Sequence, residues 1–238
     1  MKKYIIANLK MNKPECSFTQ YLDAVGQIKS DNELIVCLPY THLFLANEYP
    51  NINIAAQNMN ENEKGAFTGE ISIDMLKDVG VDSVIIGHSE RRRIYHEDFA
   101  TIAQKVQMAL NKDFMVIFCM GESLEERQAN KTIDVLSEQI ITMMNHIDQT
   151  KADKILFCYE PIWSIGSGIV PTNEQINEVV SIIKYHLGLY NIHSPKVLYG
   201  GSVDDKNFAH ISECDIDGVL VGGASKSIEK ISKITKEF

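Results

Sequence analysis

The sequence predicts an α/β protein folded as a single (β/α)8 barrel. Three observations carry this. Eight short β-branched runs fall at residues 4–7, 34–38, 52–56, 84–86, 115–119, 155–159, 196–199 and 218–221, with helical stretches between them. Most runs are apolar on successive residues, as parallel strands covered on both faces require. The length, 238 residues, suits one closed barrel, so residues 1–238 are expected to form one domain. An open doubly wound sheet is the competing architecture. It is disfavoured because Asn8-Leu9-Lys10, not a G-x-G-x-x-G loop, follows the first run, and Gly166-Ser167-Gly168 is too incomplete a glycine pattern to replace it.

The intervening stretches carry helical periodicity. Phe18, Tyr21, Leu22, Val25 and Ile28 share one face of a helix over 18–28, and Phe99, Ile102, Ala103, Val106 and Leu110 do so over 99–110. Ser123-Leu124-Glu125-Glu126 reads as a capping box, followed by helix to about His146 with a break near Asn130. A helix beginning at Thr172 buries Ile176, Val179, Val180, Ile183 and Leu187, with Gly188 expected as its C-cap. Shorter helices are expected over 204–211 and 228–234. No linker, low-complexity tract or sequence repeat interrupts the alternation.

Composition excludes several function classes. Hydrophobic residues make up 45% and charged residues 23% of the chain, so a substantial core is expected. A formal net charge of -9 argues against nucleic acid as a partner, though a few cations and helix ends can still draw an anion into a cleft. Five cysteines with no C-x-x-C pair give neither a disulfide framework nor a zinc spacing, and no metal site or cofactor is expected. Cys37, Cys119 and Cys158 lie inside apolar runs, where a thiol acts as a small buried hydrophobe. No run reaches membrane-spanning length and no signal-like h-region follows Met1-Lys2-Lys3, so a reduced, cytoplasmic setting without membrane contact is expected.

Chemistry collects where the strands end. The first run leads into Asn8-Leu9-Lys10, the third into Gln57-Asn58 and the fourth into Gly87-His88-Ser89-Glu90-Arg91-Arg92; the fifth leads into Gly121-Glu122 and the sixth into Glu160-Pro161. In a parallel barrel these ends gather at one face, where such folds place their sites. Glu160 is delivered by a buried strand and followed by a glycine-spaced loop. Acids so placed often act as general bases, because an apolar floor and a water-excluding cover favour proton uptake; a solvated glutamate at a strand end is the plain alternative. Gly200-Gly201-Ser202 and Gly222-Gly223 follow the last two strands, where missing side chains let backbone N–H groups approach a phosphate, although tight turns alone also favour glycine.

Taken together, Asn8-Leu9-Lys10-Met11-Asn12, Gly65-Ala66-Phe67-Thr68-Gly69-Glu70, Gly87-His88-Ser89-Glu90-Arg91-Arg92, Tyr159-Glu160-Pro161-Ile162-Trp163, Tyr199-Gly200-Gly201-Ser202 and Leu220-Val221-Gly222-Gly223-Ala224-Ser225 resemble the motifs of the triosephosphate isomerases, from end to end and in one order. The resemblance implies a TIM barrel that interconverts dihydroxyacetone phosphate and D-glyceraldehyde 3-phosphate in glycolysis and gluconeogenesis. The acid–base pairing it brings is the family's well-known one, with Glu160 as the base and His88 as the electrophile. It further implies Lys10 as a fixed cation, Asn8 as its orienting neighbour or a substrate contact, and Glu90 as a catalytic neighbour. Backbone at Gly166, Ser202, Gly222 and Gly223 is implied for the phosphate. Thr68, on a loop that enters a second subunit in this family, implies a homodimer. Arg91 and Arg92 are expected as structural ion-pair partners, and Arg93 and His96 on solvated faces.

Three departures stand out. Leu9 replaces a common tryptophan, the chain is somewhat short, and Ile169-Val170-Pro171 replaces a Lys-Thr-Ala-like hinge, which predicts a stiffer far end of the mobile loop. The rival readings are another phosphate-binding barrel isomerase with a larger sugar substrate, and a non-catalytic sugar-phosphate binder on the same barrel.

Overall fold

The computed structural model describes residues 2–238. Eight strands, β1 (Tyr4–Asn8), β2 (Glu33–Leu38), β3 (Asn53–Ala56), β4 (Ser83–Ile86), β5 (Met115–Met120), β6 (Ile155–Tyr159), β7 (Lys196–Tyr199) and β8 (Gly218–Val221), pair in sequence order and close into a barrel. All pairings are parallel, and Ala7 of β1 pairs with Val36 on one side and Val221 on the other. The architecture is therefore the expected (β/α)8 barrel, with each strand within one residue of its predicted bounds.

Successive apolar residues are needed because both strand faces are buried. Ile6, Ile35, Cys37, Ala55, Ile85, Ile117, Cys119, Leu156, Cys158, Leu198 and Leu220 fill the barrel interior as one cluster. Their neighbours, such as Ile5, Ala7, Val36, Val84, Val116 and Phe157, face outward into a larger cluster with the helices. Strand side chains alternate faces, so the residue two beyond each inward one belongs at the barrel mouth. Those positions are Asn8, Pro39, Gln57, Gly87, Gly121, Glu160, Gly200 and Gly222.

The helices are α1 (Phe18–Val25), α2 (Leu45–Glu48), α3 (Ile73–Asp78), α4 (Ser89–Ile94), α5 (Phe99–Asn111), α6 (Leu124–Gln128), α7 (Thr132–Met144), α8 (Asn173–Gly188), α9 (Phe208–Ser212) and α10 (Ile228–Glu237). The capping box at Ser123 forms, and Thr172 with Gln175 makes another at the start of α8. The break between α6 and α7 falls where predicted, with Asn130 at φ 57°. Helix α1 ends at Val25, short of Ile28. Gly188 is the last residue of α8, not its left-handed cap; Asn191, at φ 62°, makes the reversal. The helix expected over 204–211 shrinks to Phe208–Ser212 because Asp204 Oδ1 accepts the backbone N–H groups of Lys206 and Asn207, a local turn that competes with the first helical hydrogen bonds. Among the described residues, no helix is long and apolar enough to cross a membrane.

Candidate active site

The loops after β1, β4, β6, β7 and β8 enclose a cavity of about 520 Å³ at the C-terminal barrel mouth. Lys10, His88, Glu90, Gly166, Ser202, Gly222 and Gly223 all line it. Asn8 and Glu160 stand behind this lining, 4% and 0% exposed, and Thr68 is exposed on its own loop away from it.

Lys10 leaves β1 with φ 52°, a conformation a lysine rarely adopts. It is held from both sides: its N–H donates to Asn8 Oδ1 at 3.0 Å, and its carbonyl accepts from Gln57 Nε2 at 2.9 Å. The ammonium meets Glu90 Oε1 at 2.6 Å. Gly222 makes room for the Lys10 stem, since a Cβ there would lie 3.2 Å from Lys10 Cε. Burial works to raise the Glu90 carboxyl, but the hydrogen bond from Lys10, together with the influence of the neighbouring His88, Lys10 and Arg93, outweighs it. The net effect holds Glu90 below the ordinary carboxylate range.

His88 is the N-cap of α4. Its Nδ1 accepts the Glu90 N–H at 3.2 Å, so that nitrogen carries no proton and the ring proton belongs on Nε2. Nε2 lies 3.1 Å from Glu160 Oε1. Glu160 continues the inward face of β6, and its Oε2 accepts the Ser89 N–H at 2.8 Å. Its Oε1 is buried with no hydrogen-bond partner; the approach from His88 is close but not aligned. Two glycines keep this corner open. A Cβ on Gly121 would fall 1.9 Å from the Glu160 carbonyl oxygen, and one on Gly200 would fall 3.0 Å from Glu160 Cγ.

Several participants lie outside the predicted set. Arg92 donates to the carbonyls of Gly87 and Gly121, and its Nη2 lies 3.9 Å from Glu160 Oε2. It thus faces the acid directly, beyond the structural ion pair expected. Arg91 does form such a pair, with Glu97 at 2.5 Å. Arg93 is exposed, yet its side borders the cavity, which a solvated-face reading did not anticipate. Glu122, fully buried, gathers Tyr159 Oη, Trp163 Nε1 and Arg127 Nη1 on one carboxylate oxygen at 3.0, 3.0 and 3.2 Å. This cluster anchors the start of the loop after β6. Its signal in the sequence was a lone acid after the β5 glycine, with nothing to name its partners. Leu9, which replaces the common tryptophan, is a core residue, 1% exposed.

Fold and cavity together define a (β/α)8-barrel enzyme with a buried carboxylate, an imidazole and a lysine converging at the strand ends. A family model described as Triosephosphate isomerase matches residues 3–238. The chain is also similar to the triosephosphate isomerases of Alkaliphilus oremlandii (42% identical, covering 97% of each chain), Vesicomyosocius okutanii (39%, 99% of each) and Emericella nidulans (41%, 94% of each). The chain belongs to the triosephosphate isomerase family.

Proposed function

We propose that Glu160, His88 and Lys10 carry the reversible isomerisation of dihydroxyacetone phosphate and D-glyceraldehyde 3-phosphate, in glycolysis and gluconeogenesis. Glu160 takes a proton from C1 of the ketose, and the electron pair moves onto O2 to give an enediolate. The proton returns at C2, while the hydroxyl proton of O1 passes to O2, leaving the aldehyde. His88 Nε2–H and the Lys10 ammonium face the oxygens where negative charge develops, an arrangement suited to stabilising it. Glu90 sets the position of both: its N–H fixes the His88 tautomer and its carboxylate holds Lys10. The observation that carries the reading is Glu160 Oε1, a buried carboxylate oxygen without a donor beside an imidazole N–H. Its other oxygen is tied to the backbone N–H of Ser89, so Glu160 releases that N–H and advances when substrate is present. Asn8 holds Lys10, and the backbone at Gly166, Ser202, Gly222 and Gly223 receives the phosphate. A coupled spectrophotometric assay with both triose phosphates tests this; turnover of a larger sugar phosphate in preference to them would overturn it.

The same reading makes the protein a cytoplasmic homodimer acting without cofactor. Support for a subunit contact comes from large apolar side chains exposed on the segments that follow β1 to β4: Met11 (95% exposed), Phe67, and Ile94 and Tyr95 at the end of α4 among them. Thr68 sits in this region, on a loop bounded by Gly65 and Gly69. Thr68→Arg is expected to shift the mass seen by light scattering from dimer to monomer and to cut activity at least tenfold, since one residue at an interface centre is worth about 1–2 kcal/mol or more. A wild-type protein that is monomeric and fully active would refute the dimer.

A further inference from the structure

Ser164 lies in the loop after β6, four residues beyond Glu160, and is 0% exposed. Its hydroxyl is fully committed. Oγ donates to the Ile169 carbonyl at 2.6 Å, closing the loop segment on itself. With its one proton so placed, Oγ is an acceptor for the other two contacts: the Tyr199 hydroxyl at 3.3 Å and the Ser202 backbone N–H at 3.2 Å. Tyr199 is suited to donating, because burial pushes its hydroxyl up to about 12. The turn beneath is shaped for this contact, since a Cβ on Gly201 would fall 2.1 Å from Tyr199 Oη and 2.9 Å from Ser164 Oγ. One loop hydroxyl therefore occupies a backbone donor that lines the cavity.

We propose that Ser164 is a positioning residue that holds the Ser202 N–H before substrate binds and yields it to the substrate's phosphate. The inference rests on the reading of Ser202 as a phosphate donor. An amide has one proton to give, and a doubly charged phosphate oxygen is a stronger acceptor than a neutral hydroxyl. Phosphate entry thus breaks the one hydrogen bond between Ser164 and the Ser202 amide while leaving the Ser164–Ile169 closure intact. The loop after β6 thereby loses its tie to Ser202 of the β7 turn, still closed on itself through Ile169 and still linked to Tyr199, at the moment the phosphate arrives. The cost of displacing the hydroxyl is charged against phosphate affinity, and removing the hydroxyl returns it.

The experiment is a titration of the full-length protein with inorganic phosphate, following the Ser202 amide by 15N NMR, in wild type, Ser164→Ala and Ser164→Cys. A hydrogen bond of roughly 1 kcal/mol corresponds to about a fivefold change in Kd. Ser164→Ala is therefore expected to bind phosphate about fivefold more tightly, with KM for the triose phosphates falling in parallel. Ser164→Cys keeps the side-chain bulk with a poor acceptor and is expected to move the same way by a smaller factor, so it carries the test if the alanine variant is unstable. A hydroxyl that merely braced the turn would give the opposite sign, weaker phosphate binding in both variants. That result, or an unchanged Kd with the Ser202 amide responding, overturns the proposal while sparing the phosphate site. A Ser202 amide that ignores phosphate in all three proteins overturns the phosphate reading itself, and the proposal with it.

Discussion

His88 and Glu160 lie 3.1 Å apart and are held in opposite ways. The His88 corner is pinned throughout. Its imidazole is fixed by the Glu90 N–H, Glu90 is locked to Lys10, and Lys10 is clamped between Asn8 and Gln57. Glu160 has a single side-chain hydrogen bond, from Ser89, and one oxygen with none. The loop beyond it contains Gly166 and Gly168 at φ 69° and 76°, each with open space where a side chain would be. The difference assigns tasks. In the proposed mechanism the group that polarises meets a developing oxyanion at fixed geometry, whereas the group that moves a proton between two carbons has to travel, and so does a cover that shuts water out.

Removing the mobile partner tests the comparison most severely. Glu160→Gln keeps an oxygen that accepts the Ser89 N–H, so the fold and the resting position survive while the proposed base is lost. The coupled assay is expected to show kcat lower by about 10² to 10⁴. A loss under tenfold would mean that another group takes the proton. The fixed partner comes next. His88→Asn keeps a donor but not the imidazole reach, and kcat is expected to fall on the order of 10² with a smaller change in KM, because the lost contact belongs to the enediolate more than to bound substrate. A change confined to KM would make His88 a binding group instead.

The rigidity of the His88 corner has a pH signature. Because Glu90 is held below the ordinary carboxylate range, its pair with Lys10 contributes stability that is present above the unfolded carboxylate value and lost as pH falls through the lower folded value. Glu90→Gln is therefore expected to lower Tm slightly, by about 2 °C for a partly exposed pair, at pH 7. That gap should close only in acid, below the usual carboxylate range. Calorimetry across pH 7 to 3 measures it; a gap that closes near pH 5 would show that Lys10 does not hold Glu90 in the charged form.

The same contrast explains what could be read from the sequence. The rigid parts follow local rules. Strand parity alone puts Asn8, Glu160, Gly200 and Gly222 in one ring above Cys158 and Leu198, and the capping pattern puts His88 at a helix start. Such rules span a few residues, and the eight strands came out within one residue of their expected bounds. What stayed hidden depends on which distant side chain arrives. Nothing near Ser164 announces that it reaches Ser202, and the pairing of Arg92 in α4 with Glu160 at the end of β6 joins residues 68 apart in the chain. Glu122 gave no sign that Tyr159, Trp163 and Arg127 would converge on it. Gly188 misled for a related reason: a glycine after an apolar stripe is the usual cap signal, yet here the helix runs through it and Asn191 makes the turn.

The smallest expected effect lies at the far end of the loop after β6, where the contrast between packed backbone and glycine freedom is sharpest. Gly166 and Gly168 free the near side, whereas Val170 packs on the core and Pro171 is buried just before Thr172, the cap of α8. Proline fixes its own φ and restricts Val170, so any hinge motion on this side is taken up within few backbone angles. Pro171→Ala returns that freedom. Since a proline in a compatible position is worth about 0.4–1 kcal/mol of chain entropy, loop exchange is expected to change by a factor of about two to five. Relaxation dispersion on the Gly166 and Gly168 amides reads it. Exchange indistinguishable from wild type would place the hinge wholly within the glycines, and Pro171 would then belong to the rigid frame alone.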